Sequence, residues 1–163
     1  VEHYGRTRFP VQATAAGVDG LLLVDCPPEE RGDLGVAMRE SGLDGICLVA
    51  PTTTRDRVKD ISSIASGFIY YVSLKGITGA GKLNSSELTE PVSQIREFSD
   101  LPVAVGFGIK NAEMAVEVAQ HADAVVIGSA LVEALSETQT QEQACSVAKS
   151  FLAPVRKSLD NME

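Results

Sequence analysis

Two short stretches carry residue types that could hold an anion. Leu101 to Gly108, LPVAVGFG, is an apolar run that stops at Gly106-Phe107-Gly108. Behind it, Asn111 and the pattern Met114, Val118 and Ala119 begin a helix. Val125 to Ala130, VVIGSA, repeats the plan and ends its apolar run in Gly128-Ser129, again followed by helical residues. Glycine lets the main chain approach a ligand closely, and the first N–H groups of a helix favour an anion. Either corner alone is equally well a tight strand-to-helix turn. Two in consecutive units, with the glycine-rich Lys75 to Ser86 (KGITGAGKLNSS) upstream, make a phosphate the expected ligand.

The elements that must position these corners follow from the order of apolar runs and breakers. Val1 to Ala16 reads as a loop entering a helix, with Phe9, Ala13 and Ala16 at helical spacing and Gly17 as its stop. Gly20-LLLVD is an apolar run of strand length. Pro27 and Pro28 close it and open a helix with Glu29 and Glu30 in the favourable first turn and Leu34, Ala37 and Met38 inward, ending near Gly42. Ile46-CLVA is the next strand. Thr54 is the expected N-cap of a helix that buries Val58, Ile61 and Ala65 and ends at Gly67. Phe68-IYYVSL is rich in β-branched and aromatic residues, as a strand should be. Lys75 to Ser86 has no apolar periodicity and reads as a loop that acts as a lid. A helix over Glu87 to Phe98 turns Leu88, Val92 and Ile95 inward. The strand LPVAV, a helix over Asn111 to His121 and a strand over Ala124 to Ile127 follow. A short helix from Ala130 and a long one over Gln141 to Leu159, with Ala144, Val147, Ala148 and Phe151 as its buried stripe, complete the chain.

The strands are continuous apolar runs rather than alternating ones, which implies an α/β protein with a parallel sheet covered by helices. A TIM (β/α)₈ barrel typically needs about 250 residues for its eight units. The 163 residues here form a single domain, 1–163, with about five such units, so the expected architecture is an incomplete barrel. In such barrels the loops after the last two strands form the usual phosphate cup, which is where the two glycine corners fall.

Composition narrows the partners. A net charge of −8 argues against nucleic acid, whose phosphates need a basic face. Cys26, Cys47 and Cys145 are odd in number and lack C-x-x-C spacing, so neither a disulfide framework nor a metal site is indicated. No apolar run approaches the roughly 18 residues that cross a membrane, and polar Val1 to Phe9 is unlike a signal peptide. A cytoplasmic protein is expected.

Taken together, Asp25-Cys-Pro-Pro-Glu-Glu, Pro51-Thr-Thr-Thr, Tyr70-Tyr-Val-Ser, Gly76-Ile-Thr-Gly, Gly106-Phe-Gly-Ile and Gly128-Ser-Ala resemble, in order and spacing, the α subunit of tryptophan synthase. The resemblance runs over essentially the whole chain. It implies a (β/α)₈ lyase of tryptophan biosynthesis (the carbon–oxygen lyase class, by family) that cleaves indole-3-glycerol phosphate to indole and glyceraldehyde 3-phosphate. It also implies a heterotetramer with a β subunit that holds pyridoxal phosphate and receives the indole through a tunnel. The α subunit itself uses no metal or cofactor. By position, Tyr70 matches the family tyrosine beside the catalytic carboxylates, an auxiliary role. Thr78 and Gly79 match the closing loop, whose threonine orders the catalytic groups and whose glycine joins the phosphate cup. Phe107 and Gly108 match the wall and amide of that cup, which Gly128 and Ser129 complete. Asp25 and Pro27 match the loop that faces the β subunit.

The chain departs from the family in one respect. Retro-aldol cleavage needs a proton delivered to the indole ring carbon and a base for the glycerol hydroxyl. In the family these roles fall to a glutamate and an aspartate on and after the second strand. That part of the barrel precedes Val1, and no residue here matches either. The chain alone is therefore expected to bind phosphate weakly and not to turn over.

Other readings stand beside this one. The chain could be a non-catalytic partner that binds the β subunit through its strand C-terminal face. It could be another phosphate-sugar barrel, an epimerase or an aldolase. Schiff-base chemistry needs a lysine at a strand end, and Lys75 only borders the third strand. Tyr70 and Tyr71 are consecutive on a strand and point to opposite faces, one inward and one onto helices. Asp25 either faces a ligand or accepts hydrogen bonds from loop amides. His3 and His121 are expected to face solvent and the cysteines to be small core or edge residues. The first strand, Leu21 to Asp25, and the last, Ala124 to Ile127, should each leave an edge and an apolar face open, favouring self-association.

Overall fold

A computed structural model describes residues 1–24, 26–73 and 85–162. Twelve elements alternate along them: α1 Arg8–Ala15, β1 Gly20–Leu22, α2 Gly32–Glu40, β2 Asp44–Val49, α3 Arg55–Ile64, β3 Ile69–Val72, α4 Thr89–Arg96, β4 Val103–Gly106, α5 Ala112–Ala119, β5 Ala124–Val125, α6 Ser129–Leu135 and α7 Gln141–Asp160. Short 3₁₀ turns cover Glu2–Tyr4, Pro28–Glu30 and Ser85–Leu88. The strands form a parallel sheet in sequence order, β1-β2-β3-β4-β5. Contacts gather into two compact units, Val1–Tyr70 with Gln94–Pro102, and Tyr71–Ser93 with Val103–Glu163.

In the first unit, β1 and β2 pair in the register Gly20↔Asp44, Leu21↔Gly45, Leu22↔Ile46. Ala13 of α1, Leu34 and Met38 of α2, and Leu43 form an apolar cluster against which Phe9, Leu21 and Leu23 pack. The helix α2 stops where its sequence says it must. Gly42 takes a left-handed conformation (φ +68°), which lets the Leu43 amide reach back to the Met38 carbonyl at 2.8 Å. Thr54 caps α3 as expected, its side chain accepting from the Arg57 amide, and Val58, Ile61 and Ser62 are the buried face. Ala65 follows the helix as its C-cap and is only half-buried, so the expected third position of that stripe belongs to Ser62.

The second unit is built on β4. All four of its residues, Val103–Gly106, are buried, which is the physical reason they read as an unbroken apolar run. Leu88 and Val92 are fully buried, as their helical spacing predicts. Asn111 caps α5 by accepting from the Met114 amide at 2.9 Å, and Ala115 and Val118 are its buried face. The helix α7 packs against α5 and α6.

Further expectations change. Glu29 and Glu30 lie in a 3₁₀ turn of their own and not in the first turn of α2, which begins at Gly32. The two end strands are shorter than their apolar runs: β1 stops at Leu22 and β5 at Val125, because an end strand finds a ladder partner on one side only. Leu22 and Val24 are 37% and 67% exposed, the open apolar face expected there. In α7, Ala144, Val147, Ala148 and Phe151 do share a stripe, but it is half-buried, and the one buried residue is Val155, one turn on. Cys47 is buried and Cys26 half-buried, whereas Cys145 is exposed on α7 rather than at a core edge.

Candidate functional site

The chemistry expected of the two glycine corners depends on where their strands end. β4 and β5 pair in the register Ala104↔Ala124 and Val105↔Val125, and the Val126 amide continues the ladder to the Val105 carbonyl at 2.9 Å. Neighbouring strands lie about 4.8 Å apart, so the chain leaves both strands from adjacent positions. On the other side of β4, the Ser73 amide donates to the Gly106 carbonyl at 3.0 Å, so the end of β3 joins the same row.

At the first corner, Phe107 and Ile109 are both buried, at 5% and 2% exposure, while Gly108 between them is only half-buried. Anchoring both neighbours inward forces the intervening residue to reverse the backbone, and Gly108 does so at φ +65°, a conformation in which a Cβ is strained. Lys110 and Asn111, both exposed, then lead into α5.

At the second corner, Gly128 is the N-cap of α6, and its carbonyl accepts from the amides of Leu131 and Val132 at 3.0 and 3.1 Å. The amides of Ser129 and Ala130 precede the first helical acceptor. Gly128 and Ser129 are exposed, and a Cβ built on Gly128 meets no atom within 4 Å. Packing therefore does not demand a glycine there; the space it leaves is open.

Of the two adjacent tyrosines, Tyr71 is buried at 3% exposure, and Tyr70 is half-buried. Burial pushes both phenols up from their ordinary value, and the charge of Glu87 adds to the effect on Tyr71. Both stay protonated at neutral pH, so Tyr70 is a hydrogen-bond donor rather than a base. Pro27 is exposed beside the half-buried Cys26 and, with Arg31, Thr53 and Arg57, lines a cavity of about 250 Å³. Asp25, Thr78 and Gly79, and with them most of the stretch Lys75 to Ser86, lie outside the described residues. His3 is exposed; His121 is half-buried, its Nδ1 3.1 Å from the Thr89 hydroxyl. No group of three or more His, Cys, Asp or Glu that could hold a metal occurs among the described residues, and no helix there is long and apolar enough to cross a membrane.

Two charged features have no counterpart in the sequence reading. Glu29 and Arg57 form a two-pronged ion pair, one prong 3.0 Å long. Arg31 is 7% exposed, its Nη2 donating to the Ile46 carbonyl at 3.3 Å. Neither is periodic, although the spacing of Arg31, Gly35 and Arg39 by fours was a usable sign of one helix face.

A parallel sheet in sequence order, each strand returning through a helix, and structural neighbours that are (β/α)₈ barrels place this chain in that class, as part of a barrel. Comparison then gives the family. The family model described as "Tryptophan synthase alpha chain" matches residues 1–160. The tryptophan synthase alpha chain of Polynucleobacter necessarius subsp. necessarius is 47% identical over 161 residues, covering 99% of this chain and 60% of that protein. The crystal structure of the alpha chain from Legionella pneumophila subsp. pneumophila superposes with a TM-score of 0.83 at 40% identity, covering 99% of this chain and 59% of that one. A chain of the tryptophan synthase α2β2 complex from Pyrococcus furiosus, a hyperthermophile, gives a TM-score of 0.84 at 32% identity, covering 96% and 62%. The chain belongs to the tryptophan synthase alpha chain family, and it spans about 60% of the length of the curated relatives it matches.

Proposed function

We propose that this chain supplies the phosphate-binding end of a lyase site that splits indole-3-glycerol phosphate into indole and glyceraldehyde 3-phosphate in the cytoplasm. The observation that supports the reading best is the β4–β5 register, which launches the corners at Gly108 and Gly128 from paired neighbours. The amides of Gly108 and Ser129 then donate to the phosphate oxygens, with Phe107 as a wall and open space at Gly128 for the ligand. By the family resemblance, Thr78 orders the catalytic groups and the Gly79 amide adds to the phosphate donors. The protonated Tyr70 phenol donates a hydrogen bond beside the reacting centre. The indole ring carbon first gains a proton; then the glycerol hydroxyl loses its own, its oxygen electrons form the aldehyde C=O, and the electron pair of the breaking C–C bond returns to the indole ring. Those two transfers fall to a glutamate and an aspartate that no residue of this chain matches, so turnover needs a segment beyond these residues. Asp25 and Pro27 face a β subunit, to which the indole passes; pyridoxal phosphate belongs to that partner, and the α site uses no cofactor.

The test is indole release from indole-3-glycerol phosphate by the chain alone and with the N-terminal barrel segment of the Polynucleobacter relative supplied in trans. Amide NMR shifts with glyceraldehyde 3-phosphate provide a second readout. No turnover alone, turnover with the segment, and shifts at Gly108 and Ser129 are expected. Gly128→Val should weaken binding about tenfold without lowering the Tm, since nothing in the fold occupies that space. Shifts absent from both corners, or Gly128→Val binding as tightly as the parent, would overturn the reading.

A further inference from the structure

Arg31, the N-cap of α2, and Gly35 and Arg39 within the helix are spaced four apart and lie along one face. They line a cavity of about 240 Å³, together with Gly32, Gly45 of β2 and Ser66. Its volume holds a phosphate group with a short substituent. Arg31 is more than nine-tenths buried, its Nε has no hydrogen-bond partner, and its Nη2 donates to a neutral carbonyl, Ile46 O. A guanidinium so far from water is costly unless an anion and further acceptors compensate it.

Two glycines leave room for that side chain, Gly45 at the guanidinium and Gly35 at its Cβ. A Cβ at Gly45 would lie 3.0 Å from Arg31 Nη1, and one at Gly35 would lie 3.3 Å from Arg31 Cβ and 3.8 Å from Arg39 Nη1. The absent side chains therefore give Arg31 its room at the cavity, while the contact to Arg39 would be an ordinary one. Ser66 Oγ accepts from the Gly45 amide at 2.8 Å, which leaves its own proton free to donate. The first turn of α2 adds amides with no helical acceptor, because Leu34 and Gly35 are the first to bond back, to Arg31 O. The acid of that turn, Asp33, lines a different cavity, toward α1.

We infer that this cavity, formed within residues 31–66, binds a phosphate-bearing small molecule at a site separate from the strand-end corners. Two guanidinium groups and a hydroxyl present more donors than the two oxygens of a carboxylate can use, and they suit the three free oxygens of a phosphomonoester.

The test is a titration of the ¹⁵N-labelled full chain, followed at backbone amides and arginine Nε–H groups, with inorganic phosphate and with glycerol 3-phosphate in parallel. Saturable shifts are expected at Gly32, Gly35, Ser66 and the Arg31 Nε–H. Arg39 is exposed, so Arg39→Gln keeps the fold and should weaken binding about tenfold, while Lys157→Gln on α7 leaves it unchanged. A tighter response to glycerol 3-phosphate identifies an organic phosphomonoester as the source, and equal responses identify free phosphate; either supports the site. Absent or unsaturable shifts, equal weakening by Lys157→Gln, or shifts confined to Gly108 and Ser129 would overturn it, the last leaving the strand-end reading intact.

Discussion

Glu29 has its carboxyl drawn down from 4.5 to about 2, chiefly by the hydrogen bonds it accepts from Arg57. A carboxyl whose pKa falls on folding stabilises the native state above its unfolded value and loses that contribution as pH drops. The pair should therefore support the fold fully above about pH 4.5 and release it between there and pH 2. Replacing Arg57 by Gln should flatten this acid limb, read as the pH midpoint of unfolding by circular dichroism at low salt; an unchanged midpoint would show the pair to be inert. Because both partners are exposed, added salt should shrink the difference. This pairing joins residues 28 apart and leaves no periodic trace, which is why the sequence did not announce it. The burial of Arg31 was hidden for a different reason: its guanidinium depends on room left by Gly45 of β2, which no local spacing links to it. Local chemistry was legible by contrast. The side chains of Thr54 and Asn111 cap the helices they precede. Alternation placed Tyr70 and Tyr71 on opposite faces, but only the packing decides that Tyr71 is the buried one.

The elements themselves were readable in kind and order, less so in their ends: β3, with neighbours on both sides, still begins only at Ile69 and ends before Ser73. β4 is the fully buried part, Val103–Gly106, of the run that begins at Leu101, whereas β1 and β5 keep only three and two residues of theirs at the ends of the sheet. The stripe of α7 shows the same limit: helical spacing identifies a face, but the depth of its burial depends on what covers it. The corner that holds Gly108 is fixed from both directions, by β4 before it and by capped α5 after it. Asn111→Ala removes the oxygen that accepts from Met114 and should cost about 1 kcal/mol, read as a lower urea midpoint with an unchanged slope. No shift in the midpoint would mean that the cap contributes nothing and that Ile109 and the strand hold the corner alone.

On the scale of the whole molecule, Leu22 and Val24 leave apolar surface open beside β1, and Val132 of α6 is 67% exposed. Exposed apolar side chains next to an end strand favour pairing with another copy. Sedimentation velocity should show a mass that rises with loading concentration, and Val24→Lys should return the chain toward monomer; a concentration-independent monomer would contradict this.

The strand order has a consequence for how the molecule is made. Since β1 through β5 lie side by side in the order of translation, each ladder can be completed by the segment synthesised next, with only one helical connection to close. The nascent sheet grows at one margin, so every new strand meets a template already in register. Assembly of this kind keeps loop-closure costs small and leaves the newest strand with one open edge until the next arrives.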